Sequence, residues 1–199
     1  MNKTLKLLIF SDIFVLTGFG LINPILALFI KEEITGASIA VVGIAAAITT
    51  FLRCILQLVF AYFAKPKQRY AMVIAGTFLI ASVPFVYLFS SKVIHIYIAS
   101  LINGFGAGLA NPAWFSLFAA NLNKNARGWE WSIYSSSVGI GTATAAFLGS
   151  LLVMKLGFKP VFIIVGFFAL IGCFILINLT KKEVKDENKI VTAKQKLRD

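Results

Sequence analysis

The sequence predicts an all-α membrane protein with six transmembrane helices in a three-plus-three inverted repeat. Three observations carry this. The chain is 59% apolar and 14% charged, against roughly 45–50% and about 25% in a soluble domain. Its apolar residues gather into six runs, several longer than the roughly 18 residues that mark a membrane-spanning helix. The first three runs share short motifs with the last three, in the same order. A soluble enzyme and a disordered or collagen-like chain are excluded. Cys54 and Cys173 lie inside apolar runs and make neither a disulfide framework nor a metal spacing.

The six segments fall near residues 7–30, 39–64, 70–90, 93–120, 132–154 and 160–179. Lys31-Glu32-Glu33 and Thr35-Gly36 end the first, and Lys65-Pro66-Lys67-Gln68-Arg69 ends the second. Ser90-Ser91-Lys92 ends the third, Asn121 to Glu130 follows the fourth, and Lys155 to Pro160 separates the last two. Every gap is short, so successive helices are antiparallel neighbours. The first segment is not a cleaved signal, because it is too long, carries Asp12 and lacks a small-x-small exit. Residues 1–179 thus form one six-helix domain, with repeats at 7–90 and 93–179, and residues 180–199 a charged cytoplasmic tail.

Basic residues set the orientation. Of nineteen Lys and Arg, fourteen lie in the amino terminus, the second-third loop, the fourth-fifth loop and the tail. Four lie on the other side, at Lys31, Lys92, Lys155 and Lys159, and Arg53 is inside a span. Both termini are expected in the cytoplasm, in a cell (plasma or inner) membrane. The net charge of +11 reads as this bias plus a solvated tail, so no nucleic-acid partner is expected.

The repeat is visible in three pairs. Gly20-Leu21-Ile22-Asn23-Pro24 matches Gly108-Leu109-Ala110-Asn111-Pro112, and Val42-Gly43-Ile44-Ala45 matches Val138-Gly139-Ile140-Gly141. Gly76-Thr77-Phe78 aligns with Gly166-Phe167-Phe168. A unit with an odd number of spans reverses its topology on repetition, which is a transporter signature. Pro24 and Pro112 remove helix hydrogen bonds to the carbonyls of Gly20 and Gly108. Two readings follow, a pair of structural kinks or a pair of ligand-facing Asn residues. Asn23 would lie toward the outside and Asn111 toward the cytoplasm.

Polar side chains concentrate in spans one, two, four and five, which are expected to surround a wet interior with spans three and six outside. Asp12 and Asn23 share a helix face, as do Arg53 and Gln57. The fifth span carries Ser132, Ser135 or Ser136, Gly139, Thr142 or Ala143, Ala146 and Gly149, a stripe suited to close packing. Asp12 and Arg53 are the sharpest signal, since a charge at mid-helix costs roughly 2.5–3.5 kcal/mol on insertion scales. Arg53 is expected near the bilayer centre and Asp12 roughly 10 Å toward the cytoplasm. The pair reads as a site for an anionic or proton-coupled solute, as a structural ion pair, or with Asp12 snorkelling to the interface. Glu130, between Trp129 and Trp131, reads as an interfacial anchor.

Other patterns lead nowhere. Gly104-Phe105-Gly106-Ala107-Gly108 follows no strand and so is not a dinucleotide loop. His95 is the only histidine. No metal site, cofactor or nucleophile–base pair is expected, and hence no enzyme. The sequon Asn178-Leu179-Thr180 falls on the cytoplasmic side.

These residues together resemble one half of a major facilitator superfamily transporter, a family whose nested three-plus-three repeats are a known example of the type. The run Asn103 to Trp114 is similar to the family's glycine-rich fourth helix. Arg127-Gly128-Trp129-Glu130-Trp131 resembles its entry to helix five, and Gly157-Phe158-Lys159-Pro160-Val161-Phe162 the start of helix six. The resemblance covers about residues 7–179. It departs in the loop Gly-x-x-x-Asp-Arg-x-Gly-Arg, where Ala61, Lys65, Pro66 and Gln68 replace consensus residues and only Arg69 matches. The arginine common in the family's fourth helix is Asn103 here.

The resemblance implies a half-size secondary transporter of a small solute, working as a homodimer or with a second half-transporter. Asn23, Arg53, Gln57, Asn103 and Asn111 are the candidate substrate contacts. Asp12 is the candidate proton-coupling group, because burial disfavours the charged form of a carboxyl. The rival reading is a non-transporting membrane scaffold or accessory subunit on the same half-fold.

Overall fold

The structure is a computed structural model describing residues 1–65 and 68–196, with side chains as far as Thr180. Pro66 and Lys67 of the second-third loop, and residues 197–199 of the tail, lie outside the described residues. Regular structure among the described residues is helical: α1 (Lys3–Ile22), α2 (Leu26–Glu33), α3 (Ile39–Phe63), α4 (Arg69–Leu88), α5 (Val93–Asn121), α6 (Arg127–Leu156) and α7 (Phe158–Lys196). Six of these are long and apolar enough to cross a membrane, the last over Phe158–Thr180. The expected fold class therefore stands. The six expected segments correspond to α1 with α2, then α3, α4, α5, α6 and the first part of α7.

The first span differs from expectation by being two helices. The Asn2 side chain caps α1 by accepting from the Thr4 amide at 3.3 Å. The helix runs to Ile22 and stops because Pro24 has no amide hydrogen to donate back. Asn23 N–H still reaches Phe19 O at 2.9 Å, and Ile25 N–H closes a tighter turn on Ile22 O at 2.9 Å. The chain then restarts as α2. Its repeat counterpart, Pro112, sits inside the uninterrupted α5. The same motif thus breaks one helix and is absorbed by the other. Pro84 lies inside α4 as well.

Loop ends sort into two groups, as alternating spans require. At one end the Asn2 side-chain amide donates to the Asn121 side-chain oxygen at 3.1 Å, and the Met1 amine pairs with Glu130 at 3.1 Å. At the other end Thr35 N–H donates to Ser91 O at 3.1 Å. A cleft lined by Glu33, Ser90, Gly157 and Lys159 gathers the remaining turns there. Gly157, at φ +79°, supplies the only residue between α6 and α7, in a left-handed conformation that favours glycine.

Packing between spans fits the repeat. α1 packs against α6 and α7, α5 against α3 and α4, and α4 against α7. Exchanging α1 with α5, α3 with α6 and α4 with α7 leaves this pattern unchanged. Small residues make the approaches close, as is usual between membrane helices. A Cβ at Gly104 or Gly108 would press on the α3 backbone at Thr49 or Arg53, and one at Gly20 or Gly149 would press between α1 and α6. Gly20 and Gly108 occupy the same place in the repeated motif, and each lets its helix meet the repeat-related neighbour.

Two apolar clusters close the ends of the bundle. One centres on Phe29, whose ring lies 4.7 Å from that of Phe162. The other joins Leu5, Leu8, Val73, Trp114, Phe118 and Leu176.

Candidate functional site

α1 and α5 scarcely touch each other, although each is firmly held by its own neighbours. The gap between them is a cavity of about 390 Å³. α1 contributes Asp12, Val15, Leu16 and Phe19, and the break after α1 contributes Asn23. α3 contributes Arg53, and α5 contributes Asn103, Ala107, Ala110, Asn111, Trp114 and Phe115. Tyr134 comes from α6, while Thr77 and Ile80 of α4 form part of the wall. Spans one, two, four and five surround this chamber as expected. The third span also reaches it, because α4 packs on α5 through Gly76 and Gly106, where a Cβ on either would meet the other's backbone.

Five of the six candidate residues, Asp12, Asn23, Arg53, Asn103 and Asn111, therefore line one chamber. They come from opposite repeats and from positions as far apart as 12 and 111. A second cavity of about 330 Å³ adjoins it, sharing Asn23 and Asn103 and adding Thr49, Thr50 and Ser100. Thr49 Oγ1 donates to Ala45 O at 3.0 Å and to Ser100 O at 3.3 Å. The two spaces form a polar trough running along the bundle. Gln57 lines neither. It lies one turn beyond Arg53 and is half-buried. A shared helix face does not ensure a shared cavity, because the chamber is shorter than the polar stripe.

Asp12 finds a partner that sequence patterning does not indicate. The Tyr134 hydroxyl donates to its Oδ2 at 2.6 Å, tying α1 to α6. The Tyr134 ring is held by Trp114 at 4.9 Å, Phe118 at 5.1 Å and Trp131 at 5.8 Å. The residues are 122 positions apart, so no local motif links them. The available signal was a tyrosine inside an otherwise serine-rich span. Of the readings open for Asp12 and Arg53, the ion pair is not seen: the one ion pair among the described residues joins Met1 and Glu130. Arg53 has neither a hydrogen-bond nor an ion-pair partner among those residues.

Glu130 also departs from expectation. It is 3% exposed. One carboxylate oxygen pairs with the Met1 amine and the other accepts from Asn123 N–H at 2.8 Å. It fastens the α5–α6 turn to the start of α1, while Trp129 is left exposed. His95 has a local task, its Nδ1 accepting from Ser91 N–H at 3.2 Å at the start of α5.

Fold and chamber define a polytopic helical membrane protein with a polar space between its spans. The family model of the Major Facilitator Superfamily matches residues 8–199, and the chain belongs to that superfamily. Among solved structures, an in meso crystal structure of the POT family transporter PepTSo superposes with a TM-score of 0.68 at 15% sequence identity. The match covers 91% of this chain and 38% of that chain. At that identity the likeness shows the fold alone, and the chain spans well under half the neighbour's length. No curated protein sequence matches.

Proposed function

We propose that the chain is one half of a secondary transporter, moving a small solute through the trough between α1 and α5 when a second six-helix unit faces it. The observation carrying this reading is the convergence of Asp12, Arg53, Asn23, Asn103 and Asn111 on one chamber. Side chains this polar are expensive in lipid and mark solute or ion paths. α3 and α6, which flank the chamber, are the least buried spans, as expected of surfaces that await a partner. A second copy of the chain is the simplest partner.

In this reading Asp12 takes up and releases a proton, with the Tyr134 hydroxyl as its switchable neighbour. The excess of basic residues on the end holding the amino terminus supports a topology with both termini and the 180–199 tail in the cytoplasm, and the proposed setting is a cell membrane. The six-helix unit then ends near residue 179. The rival reading, an accessory subunit, draws on the altered loop around Ala61, Lys65 and Arg69.

Proteoliposomes containing only this chain test the choice. A panel of radiolabelled organic acids, amino acids and sugars should yield at least one accumulated solute. Its entry should be coupled to alkalinisation outside, and Asp12→Asn should uncouple the two. Absence of uptake across the panel, with the protein folded and oriented, would favour the accessory subunit.

A further inference from the structure

Resting on the transporter reading, we propose that the solute is an organic monoanion, a carboxylate on an apolar or aromatic body, whose charged group binds at Arg53. The argument is an accounting of which polar groups in the chamber are already engaged. Asp12, its only acidic side chain, accepts a hydrogen bond from Tyr134 and makes no ion pair with Arg53. The guanidinium lines the chamber without an ion-pair partner among the described residues. A guanidinium binds carboxylate oxygens through paired N–H donors, and it stays charged under all ordinary conditions.

The neighbouring groups add donors. Trp114 lines the chamber and is 6% exposed, and its indole N–H is buried without a partner. Indole is a donor only, and because this N–H has essentially no accessible surface, a solute in the chamber meets the ring and reaches the N–H only if neighbouring side chains shift. The side-chain amides of Asn103 and Asn111 are likewise unengaged within the described residues. A cationic solute would meet the charge of Arg53 at low dielectric with no compensating pair. A neutral one would leave that charge unmatched. Arg53 is the one cation lining the chamber, and its one acid, Asp12, is engaged by Tyr134, so one carboxylate on the solute suffices to pair the guanidinium. Leu16, Phe19, Ile80 and Phe115 give the remaining wall its apolar character, and about 390 Å³ holds a body the size of a substituted ring.

Binding is read with the full chain in lipid nanodiscs by calorimetry and tryptophan fluorescence, using benzoate, benzamide and benzylamine. These share a ring and differ in charge. Benzoate should bind at least tenfold more tightly than either analogue. Arg53→Gln should abolish the preference, and Arg53→Lys should weaken it while preserving its sign. Equal binding of the three, preference for benzylamine, or binding of none by the folded wild-type chain would overturn the anion site. Uptake into proteoliposomes is scored separately. Charge-selective binding without any uptake would sink the transporter reading and leave the anion site standing. Uptake with benzamide or benzylamine favoured would keep transport and overturn the anion site.

Discussion

At the scale of residues, the chamber depends on contacts that cross between repeats. Tyr134→Phe removes one hydroxyl and keeps the ring among Trp114, Phe118 and Trp131. It leaves the Asp12 carboxyl half-buried without its hydrogen bond. The expected loss is about 1–3 kcal/mol, and Asp12→Asn in the same background should add little, because the interaction is already gone. A thermal-melt double-mutant cycle should therefore show coupling between positions 12 and 134. The cycle joining Asp12→Asn with Arg53→Gln should be close to additive, because no ion pair links them. Strong coupling in the second cycle and none in the first would reverse the assignment. Helical spacing is informative to a definite limit here. It places Asp12, Asn23, Arg53, Asn103 and Asn111 on faces that converge, since burying such groups in lipid is costly. It does not say which neighbouring helix each face meets. Hence Tyr134 escaped it, and Gln57 was included for sharing the face of Arg53.

At the scale of elements, span number, order and approximate edges are legible because apolar runs and charged turns are strong one-dimensional signals. The fate of a proline is less so. Asn23-Pro24 divides a span into α1 and α2, whereas Asn111-Pro112 remains inside α5, although the five-residue motif differs at one position only. The outcome depends on context beyond the packing pattern, since α1 is held by α6 and α7 just as α5 is held by α3 and α4. Glycines show the same dependence on context. Gly139 and Gly149 belong to one stripe on α6. A Cβ at Gly149 would overlap the backbone of Leu21, while one at Gly139 would meet nothing within 4 Å. Gly149→Leu should force α1 from α6 and lower stability by several kcal/mol, beyond the typical ~1–3 kcal/mol of overpacking, since backbone rather than a flexible side chain stands in the way. Gly139→Leu should leave the melting temperature of the isolated chain within a few degrees. Parallel melts of the two variants check this, and equal losses would mean that α6 does not cross α1 at Leu21.

At the scale of the whole molecule, the six-helix unit leaves its polar chamber insufficiently covered. Arg53 is half-buried and Thr50 exposed, and both open onto spaces flanked by α3. On α6, Ser135, Ser136 and Gly139 are exposed along a small-residue face. Facing lipid, such surfaces are poorly solvated; facing another copy, they permit close packing and cover the trough. Closed two-fold pairing is the commonest way for one chain to cover itself. In the proposed homodimer, an axis along the membrane normal would set α3 of one copy against α6 of the other, give twelve spans, and keep both amino termini on one side. Thr50→Cys and Gly139→Cys lie within a few residues of the middle of their helices, so in a background lacking Cys54 and Cys173 they should cross-link between copies. Cysteines at Phe78 on α4 and Phe167 on α7, both exposed, should not. Gly139→Leu, harmless to the folded unit, should weaken the dimer because it fills the approaching surface. Its sedimentation in mild detergent should shift toward monomer, while Gly139→Ala should shift less. A wild-type monomer in nanodiscs, with positions 50 and 139 labelled by lipid-phase probes, would overturn the homodimer and leave the chamber to be covered by a different half.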